Sequence, residues 1–190
     1  MRLIIGITGA SGVIYGIRLL EALSLRKDVE THLILSEAAE ENIHYETDWT
    51  IERIKALATH VYDVADIGAA PSSGSFKRDG MVVIPCSIKT MAALANSYNE
   101  NLIIRAGDVT IKERKPLVLV VRETPLHSGH LEGMLKLSRM GAIIMPPLPA
   151  FYHKPKEIDD LINHIVGKAL DLFDIEHNLY QRWTGLVKDQ

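Results

Sequence analysis

Five short, mostly apolar runs alternate along the chain with segments whose apolar residues recur at helical spacing. Runs of this length and composition are typical of strands that are buried on both faces of a parallel sheet. The runs are residues 3–7, 31–35, 81–84, 117–121 and 142–145. The segments that suit helices are residues 14–25, 37–45, 89–95, 102–114, 129–139 and 157–173. The alternation predicts an α/β fold, with a doubly wound, mostly parallel sheet and helices on both faces.

Size and charge narrow the class of protein further. The 190 residues are enough for one domain with one sizeable core. With 21 basic and 24 acidic residues, the net charge of −3 offers no basic surface to nucleic acid or an anionic membrane. No apolar run approaches the roughly 18 residues of a membrane span, and Gly6 ends the first run too early for a signal peptide. We therefore expect a single cytoplasmic domain over residues 1–190, without nucleic acid or membrane partners.

The single cysteine and the histidine spacing bear on nucleophilic catalysis and metal binding. One cysteine, Cys86, cannot form a disulfide within the chain or a zinc site of several thiolates. A lone buried cysteine is more often a small apolar side chain than a nucleophile. His127 and His130 have a spacing that suits a metal, but no carboxylate or thiolate completes an obvious set. We expect no metal cofactor.

A glycine-rich turn follows the first predicted strand. Residues 8–12 read Thr-Gly-Ala-Ser-Gly, and a helix is predicted to begin directly after them. Glycines let the backbone approach a ligand closely, and the free N–H groups of a helix start attract anions. The turn therefore predicts a phosphate site. No Gly-Lys-Ser/Thr follows, so it is not a P-loop, and a tight turn without a ligand stays an alternative.

The same turn resembles that of short-chain dehydrogenases, which the rest of the sequence does not support. A nicotinamide enzyme of that kind carries an acid at the end of the second strand, where this chain has Ser36. Tyr152 and Lys156 have the spacing of the dehydrogenase catalytic pair. Pro149 and Pro155 flank that tyrosine, however, and an interior proline breaks the helix on which such a pair must lie.

Polar and charged residues also follow the third and fourth predicted strands. Residues 85–90 read Pro-Cys-Ser-Ile-Lys-Thr, which places two hydroxyls and a cation at a strand-to-helix junction. Arg122 and Glu123 come directly after the fourth strand. Ligands of parallel α/β sheets bind beyond the carboxyl ends of the strands, so we expect these groups to face a ligand. For Arg122 and Glu123, a surface ion pair is the alternative.

Seven motifs follow one another along the chain. They are Gly-Ala-Ser-Gly at 9–12, Ser36, Glu-Thr-Asp at 46–48, Pro-Cys-Ser-Ile-Lys-Thr at 85–90, Lys-Glu-Arg at 112–114, Arg-Glu-Thr-Pro-Leu at 122–126 and Pro-Ala-Phe-Tyr-His at 149–153. Together they closely resemble the motifs of the flavin prenyltransferases of the UbiX type, whose older names describe aromatic acid decarboxylases. The resemblance extends from Leu3 to Trp183.

This resemblance implies a flavodoxin-like or Rossmann-like subunit that assembles into a homododecamer. It implies that reduced FMN and dimethylallyl phosphate are converted, without a metal, into prenylated FMN and phosphate. The product would serve as the cofactor of a partner decarboxylase of the UbiD type. A C-terminal helix, at about 157–183, would complete the site and the contacts between subunits.

The resemblance also assigns roles to individual residues. Carried over by motif, the FMN contacts are Gly9, Ala10, Ser11, Ser36, Ser87, Ile88, Lys89, Thr90 and Arg122. The contacts to dimethylallyl phosphate are Lys112, Arg122, Tyr152 and Lys168. The resemblance implies four catalytic residues. Ser11 and Glu46 would transfer protons at the flavin, and Glu123 would donate a proton to the leaving phosphate. Trp183 would lie against the prenyl group.

Two other functions remain open at this point. One is an FMN-dependent decarboxylase of the cysteine-decarboxylase group, although that group carries a Pro-x-Met-Asn stretch and this chain has Pro-Pro-Leu-Pro at 146–149. The other is a carrier that only delivers FMN. A protein that only carries FMN would not need the three charged residues Lys112, Glu123 and Lys168.

Overall fold

The computed structural model describes residues 1–185, and its strands form one parallel sheet. The strands are β1 (Arg2–Ile7), β2 (Glu30–Leu35), β3 (His60–Tyr62), β4 (Gly80–Cys86), β5 (Leu117–Val121) and β6 (Ile143–Ile144). The helices are α1 (Val13–Ser24), α2 (Glu37–Glu46), α3 (Ile51–Lys55), α4 (Ile88–Ala95), α5 (Leu102–Lys112), α6 (Ser128–Arg139) and α7 (Ile158–Asp171), with a 3₁₀ turn at Ala70–Ser72. The expected doubly wound α/β fold is confirmed.

Alternate strand residues fill two hydrophobic cores on opposite faces of the sheet, because successive side chains of a strand point to opposite sides. In β1, Leu3 and Ile5 belong to the core that packs against α1 and α7. Ile4 belongs to the core formed with α4, α5 and α6. All three side chains are fully buried. Burial on both faces explains why the strands are almost continuously apolar in sequence.

The strand order brings β1 and β4 together at the centre of the sheet. The six strands lie in the order β3-β2-β1-β4-β5-β6. The chain leaves β1 in one direction to build β2 and β3, and then crosses to the other side of β1 to build β4. Without the short edge strand β3, this is the flavodoxin order, and its switch point lies between β1 and β4. Ligands of such sheets bind in the crevice outside the carboxyl ends of the strands at that point.

All five predicted strands and all six predicted helices are present, but two elements were missed. Strand β3 has only three residues, and its His-Val-Tyr sequence is half exposed at the sheet edge, so it lacks the apolar pattern of a buried strand. The five-residue helix α3 is too short to show helical periodicity. None of the helices within residues 1–185 combines the length and apolar character of a membrane span.

The expectation of a C-terminal helix reaching residue 183 is wrong. Helix α7 ends at Asp171, with Leu172 as its C-cap, and Asp174 adopts a left-handed backbone conformation with φ of 54°. The chain then folds back along α7. Asp171 accepts hydrogen bonds from Tyr180 and Arg182, both at 2.6 Å, and these contacts hold the returning segment.

Candidate functional site

The glycine-rich turn between β1 and α1 brings a carboxylate to the start of α1. Gly12 is the N-cap, with φ of 97°, a conformation that glycine adopts without strain. Glu46, at the end of α2, accepts hydrogen bonds from the backbone N–H groups of Gly12 at 2.7 Å and Val13 at 3.2 Å. The helix start that the sequence predicts as a phosphate cradle is therefore capped by Glu46. This places the Glu46 carboxylate beside Ser11.

The start of α2 packs directly on the same turn. A Cβ atom at Gly9 would lie only 2.4 Å from the Cβ of Ala38, so no other residue allows this close approach. Ser36 caps α2, since its Oγ accepts a hydrogen bond from the N–H of Ala39 at 3.1 Å. The N–H of Ser36 donates to the carbonyl oxygen of Ile7 at 3.0 Å, which fixes Ser36 beside the end of β1.

A buried threonine joins the ends of β1 and β4. The hydroxyl of Thr8 donates to the carbonyl oxygen of Pro85 at 2.8 Å and accepts a hydrogen bond from the N–H of Ser87 at 2.8 Å. Ser87 in turn caps α4 by accepting a hydrogen bond from the N–H of Thr90 at 3.3 Å. Sequence reasoning gave Thr8 no role, although a hydroxyl directly after a buried strand was the available signal.

Two charged side chains follow β5 at the same edge of the sheet. The N–H of Arg122 donates to the carbonyl oxygen of Cys86 at 3.1 Å, so β5 ends beside the end of β4. The side chains of Arg122 and Glu123 are exposed. The turn at 8–12, Ser36, Ser87, Arg122 and Glu123 thus follow neighbouring strands at the carboxyl edge of the sheet, a region here called the strand-end crevice.

Tyr15 is a further member of the strand-end crevice that sequence reasoning missed. Its ring occupies the space beside Gly12, where a Cβ would come within 2.9 Å of the ring. Burial raises the pKa of the Tyr15 hydroxyl, and the positive charge of Arg122 opposes that rise. The electrostatic effect shows that the tyrosine lies near the guanidinium. Its sequence signal was an aromatic residue in the first turn of α1.

Two residues at the end of β4 and the start of α4, Cys86 and Lys89, have environments that do not suggest a catalytic role. Cys86 is fully buried, and desolvation raises the pKa of its thiol far above the usual range. A thiol of that kind is not a nucleophile, so the apolar alternative for Cys86 is confirmed. The ammonium group of Lys89 pairs with Glu100 at 2.9 Å in an exposed position.

Lys112 lies elsewhere in the chain. Helix α5 runs antiparallel to the strands, and Lys112 is its last residue, at the edge of the sheet where β5 begins. Its ammonium group pairs with the neighbouring Glu113. Glu113 lines a cavity of about 800 Å³ together with Arg2 and Asp79, which stand at the starts of β1 and β4. Within one chain, Lys112 is therefore at the opposite edge of the sheet from Arg122.

Tyr152, Lys168 and Trp183 form a third group along α7. The ring of Tyr152 lies edge-on to those of His164 and Trp183, with centroids 6.0 Å and 5.6 Å away. Lys168 stands 3.8 Å from Asp171. Tyr152 and Trp183 are partly exposed, as is Lys168.

The direction of α7 separates this group from the strand-end crevice. Arg18, in the middle of α1, contacts Asp159 and Asn163 of α7, and Arg26, beyond the end of α1, donates to the carbonyl oxygen of Glu176. Helix α7 therefore runs alongside α1 toward the amino edge of the sheet. One chain places the turn at 9–12, Ser36, residues 87–90, Glu46, Arg122 and Glu123 toward the carboxyl edge of the sheet, and it leaves Lys112, Tyr152, Lys168 and Trp183 apart from them. That the first group binds FMN stays a prediction.

Asp171 organises the segment that carries Trp183. Burial raises the pKa of its carboxyl, but hydrogen bonds from Arg182, Tyr180 and His177 outweigh that effect and lower the pKa to about 2. The same carboxylate, together with burial, raises the pKa of Tyr180 to about 12. Asp171 therefore stays ionised and holds residues 177–182 against α7.

Comparison with known proteins identifies the family. The Flavoprotein family matches residues 1–170. The flavin prenyltransferase UbiX of Thauera aromatica is 57% identical over 185 residues, which are 97% of this chain and 95% of the relative. The chain belongs to the flavin prenyltransferase family. The family recognised from the seven motifs is thus confirmed over nearly the whole length.

Two solved structures of the family share the fold closely. The crystal structure of AnUbiX (PadA1), in complex with FMN and dimethylallyl pyrophosphate, has a TM-score of 0.95 and 49% identity over 98% of both chains. A dodecameric FMN-dependent UbiX-like decarboxylase from Escherichia coli O157:H7 has a TM-score of 0.96 and 49% identity, covering 97% of this chain and all of the other. The expected flavodoxin-like fold is confirmed by both.

Proposed function

We propose that this protein transfers a dimethylallyl group from dimethylallyl phosphate to reduced FMN, and that a UbiD-type aromatic acid decarboxylase uses the prenylated FMN. The observation that carries the proposal is the strand-end crevice of a family member, where Glu46 is held at the start of α1 and Arg122 and Glu123 follow β5 at the same edge of the sheet as the serine-capped starts of α2 and α4. A cytoplasmic location belongs to the same proposal.

The strand-end crevice suits FMN by the chemistry of its donors. Helices α2 and α4 both begin there, and the backbone of Arg122, whose side chain is exposed, lies beside the end of β4. Helix starts and an arginine favour a phosphate, and the hydroxyls of Ser36 and Ser87 suit polar groups of a flavin. Reduced FMN would supply the nucleophilic nitrogen and the neighbouring ring carbon to which the prenyl group is joined.

Glu46 is placed to accept the proton that leaves the ring carbon. Its Oε2 is held by two backbone N–H groups, which fixes the carboxylate at the turn next to Ser11. Its Oε1 has no hydrogen-bond partner among residues 1–185 and is available to a ligand. A positioned carboxylate can act as a general base directly or through the Ser11 hydroxyl.

Arg122 and Glu123 are placed to act on the leaving phosphate. Cleavage of the allylic C–O bond leaves an allyl cation and a phosphate, and the guanidinium stabilises the charge that develops on phosphate. Glu123 can supply a proton to the leaving oxygen when its carboxyl is protonated.

Neighbouring subunits complete the site in this proposal. Lys112, Tyr152 and Lys168 lie away from the strand-end crevice within one chain, and so does Trp183. Their side chains are partly exposed, and a relative of 49% identity is dodecameric. We infer that copies of this chain present these residues to each other's crevice, so that the assembly holds the donor with cations from more than one subunit.

The experiment that tests the proposal compares donors and rival activities in parallel. Anaerobic mixtures contain the protein, reduced FMN and either dimethylallyl phosphate or dimethylallyl pyrophosphate, and release of phosphate or pyrophosphate is followed. We expect phosphate release that requires both reduced FMN and the monophosphate. Faster release from the pyrophosphate would correct the donor. Oxidative decarboxylation of a peptide with a C-terminal cysteine, without prenyl transfer, would favour the cysteine-decarboxylase alternative. FMN binding without either reaction would favour a carrier.

A further inference from the structure

Three potential metal ligands meet on the edge strands, at a distance from the strand-end crevice. His32 of β2 and His60 of β3 are direct cross-strand partners in the parallel register. Glu30 precedes His32 by two residues and therefore lies on the same face of the sheet. The Nε2 atoms of His32 and His60 stand 3.2 Å and 3.1 Å from the same oxygen, Oε1 of Glu30.

These distances suit a tetrahedral metal. Ligand atoms bound to zinc at about 2.0–2.1 Å stand roughly 3.3–3.4 Å apart at tetrahedral angles. The two N–O separations are within 0.3 Å of that spacing, and the three ligand atoms all lie within 4.8 Å of one another. Two imidazole nitrogens and one carboxylate oxygen are a common zinc set that leaves the fourth position open to water.

The surrounding contacts hold the ligands in place. The ring of His32 stacks on His60 with centroids 4.6 Å apart and meets the edge of Phe76 at 5.0 Å. The Nδ1 of His32 is 2.9 Å from the hydroxyl of Tyr62. When Nε2 binds a metal, the imidazole proton resides on Nδ1, and Tyr62 can accept it. A hydrogen bond to the other ring nitrogen is the usual means by which proteins orient a ligating histidine.

The carboxylate is oriented as well. Oε2 of Glu30 pairs with Arg2 at 3.0 Å, which leaves Oε1 directed at the two histidines. The guanidinium of Arg2 opposes a bound cation electrostatically, and its contact with Oε2 also fixes the ligand. His32 is almost fully buried, whereas His60 is half exposed, so the ion can enter from the side of β3.

We propose that Glu30, His32 and His60 form a zinc site that joins the edge strand β3 to β2. Strand β3 has only three residues and pairs with the sheet on one side, so a metal bridge stabilises this short edge strand. Glu30 begins β2, at the edge opposite the strand-end crevice, and the proposed prenyl transfer involves no metal. The proposed zinc site therefore takes no part in prenyl transfer.

The test uses the purified full-length protein after treatment with a chelator and gel filtration. Zinc is titrated by calorimetry, and thermal unfolding is recorded with and without zinc. We expect one zinc ion per chain and a rise in melting temperature of a few degrees. Cobalt, used as a spectroscopic probe in place of zinc, should show the visible absorption bands of a tetrahedral site. Absence of saturable zinc binding in the wild-type protein would overturn the proposal.

Variants locate the ion. His60→Gln changes a half-exposed side chain and should lower zinc affinity at least about tenfold and abolish the rise in melting temperature. Glu30→Gln should do the same, and circular dichroism confirms that each variant is folded. His127→Gln is the matched control, because His127 and His130 are a second close pair of histidines, with ring centroids 3.5 Å apart. Zinc binding that survives His60→Gln and Glu30→Gln but is lost in His127→Gln places the ion on α6 and contradicts the proposal.

Discussion

The carboxylate of Glu46 accepts a hydrogen bond from the backbone N–H of Gly12 at 2.7 Å, and this contact joins the end of α2 to the start of α1. The two residues are 34 positions apart, and they meet because the carboxyl end of β1 is followed by a turn that only glycine can make at position 12. The contact holds the Glu46 carboxylate at the turn, where it faces a ligand bound in the strand-end crevice.

Glu46→Gln should separate binding from catalysis. The amide oxygen can still accept the hydrogen bonds of Gly12 and Val13, so the turn and FMN affinity should be preserved. An amide cannot accept the ring proton, and formation of the cyclised prenylated flavin should slow by about 10²–10⁴-fold. Single-turnover assays with flavin mass analysis measure this rate. Glu41→Gln, an exposed change on the same helix, is the control and should react normally. A wild-type rate in Glu46→Gln would show that another group is the base.

Thr8→Val should weaken FMN binding because it removes the hydrogen bonds that link the end of β1 to the end of β4. The substitution keeps the shape but removes the hydroxyl that donates to Pro85 and accepts from Ser87. Leaving the buried N–H of Ser87 without a partner should cost about 1–3 kcal/mol of unfolding free energy. Urea denaturation and FMN titration measure the two effects.

Thr110→Val is the matched control for Thr8→Val. Thr110 is equally buried, and its hydroxyl donates to the carbonyl oxygen of Ala106 within α5, in the other core. We expect Thr110→Val to lower stability without lowering FMN affinity. Equal loss of FMN affinity in both variants would mean that the effect is general destabilisation and that Thr8 has no specific part in the site.

Asp171→Asn should release the segment that carries Trp183. The native pKa of Asp171 is about 2, below its ordinary value of 3.8, so the folded state binds fewer protons than the unfolded state between these values. The stabilisation is therefore complete above pH 4 and is lost as the pH falls toward 2. Since Arg182 is exposed and the pair is screened, we expect Asp171→Asn to cost roughly 1–2 kcal/mol at pH 7.

Tryptophan fluorescence and acid unfolding measure the Asp171→Asn effect. Asp174→Asn, an exposed change three residues later, is the control and should leave both unchanged. If Asp171→Asn unfolds at the same pH and urea concentration as the wild type, Asp171 does not hold this segment.

Mixed assemblies should recover activity if sites are shared between subunits. Tyr152→Phe and Glu46→Gln each remove one component, and a crevice with an intact Glu46 can meet an intact Tyr152 only from a different chain. We expect hybrids to be partly active where each parent is inactive. Native mass spectrometry verifies the exchange of subunits. Verified hybrids without any activity would mean that each chain builds its own site.

The sequence predicted the sheet well because the central strands are buried on both faces and are almost continuously apolar. It missed β3, whose three residues of mixed polarity lie at the sheet edge. The helical pattern at 157–173 agrees closely with α7, whereas the resemblance implied a helix to 183. The chain reversal at Asp174, with Asp171 bound to Tyr180 and Arg182, rules out that extension, and no local pattern shows these contacts.

Only those residues of the candidate site that directly follow strands could be predicted from the sequence. Ser36, Ser87 and Arg122 follow buried strands, and the carboxyl ends of parallel strands necessarily meet at one edge. The position of Lys112 depends on the direction of α5 relative to the sheet, which residue types do not encode. Tyr15 was missed because the electrostatic effect of Arg122 on it joins residues that are far apart in sequence.

The mass of the flavin after reaction shows whether this protein prenylates FMN. The wild-type protein is incubated anaerobically with reduced FMN and dimethylallyl phosphate, the flavin is extracted, and its mass is compared with that from mixtures lacking the donor or the protein. The account predicts a flavin heavier by one C₅H₈ unit only in the complete mixture. A flavin of unchanged mass, from protein shown to be folded, assembled and bound to FMN, would contradict it.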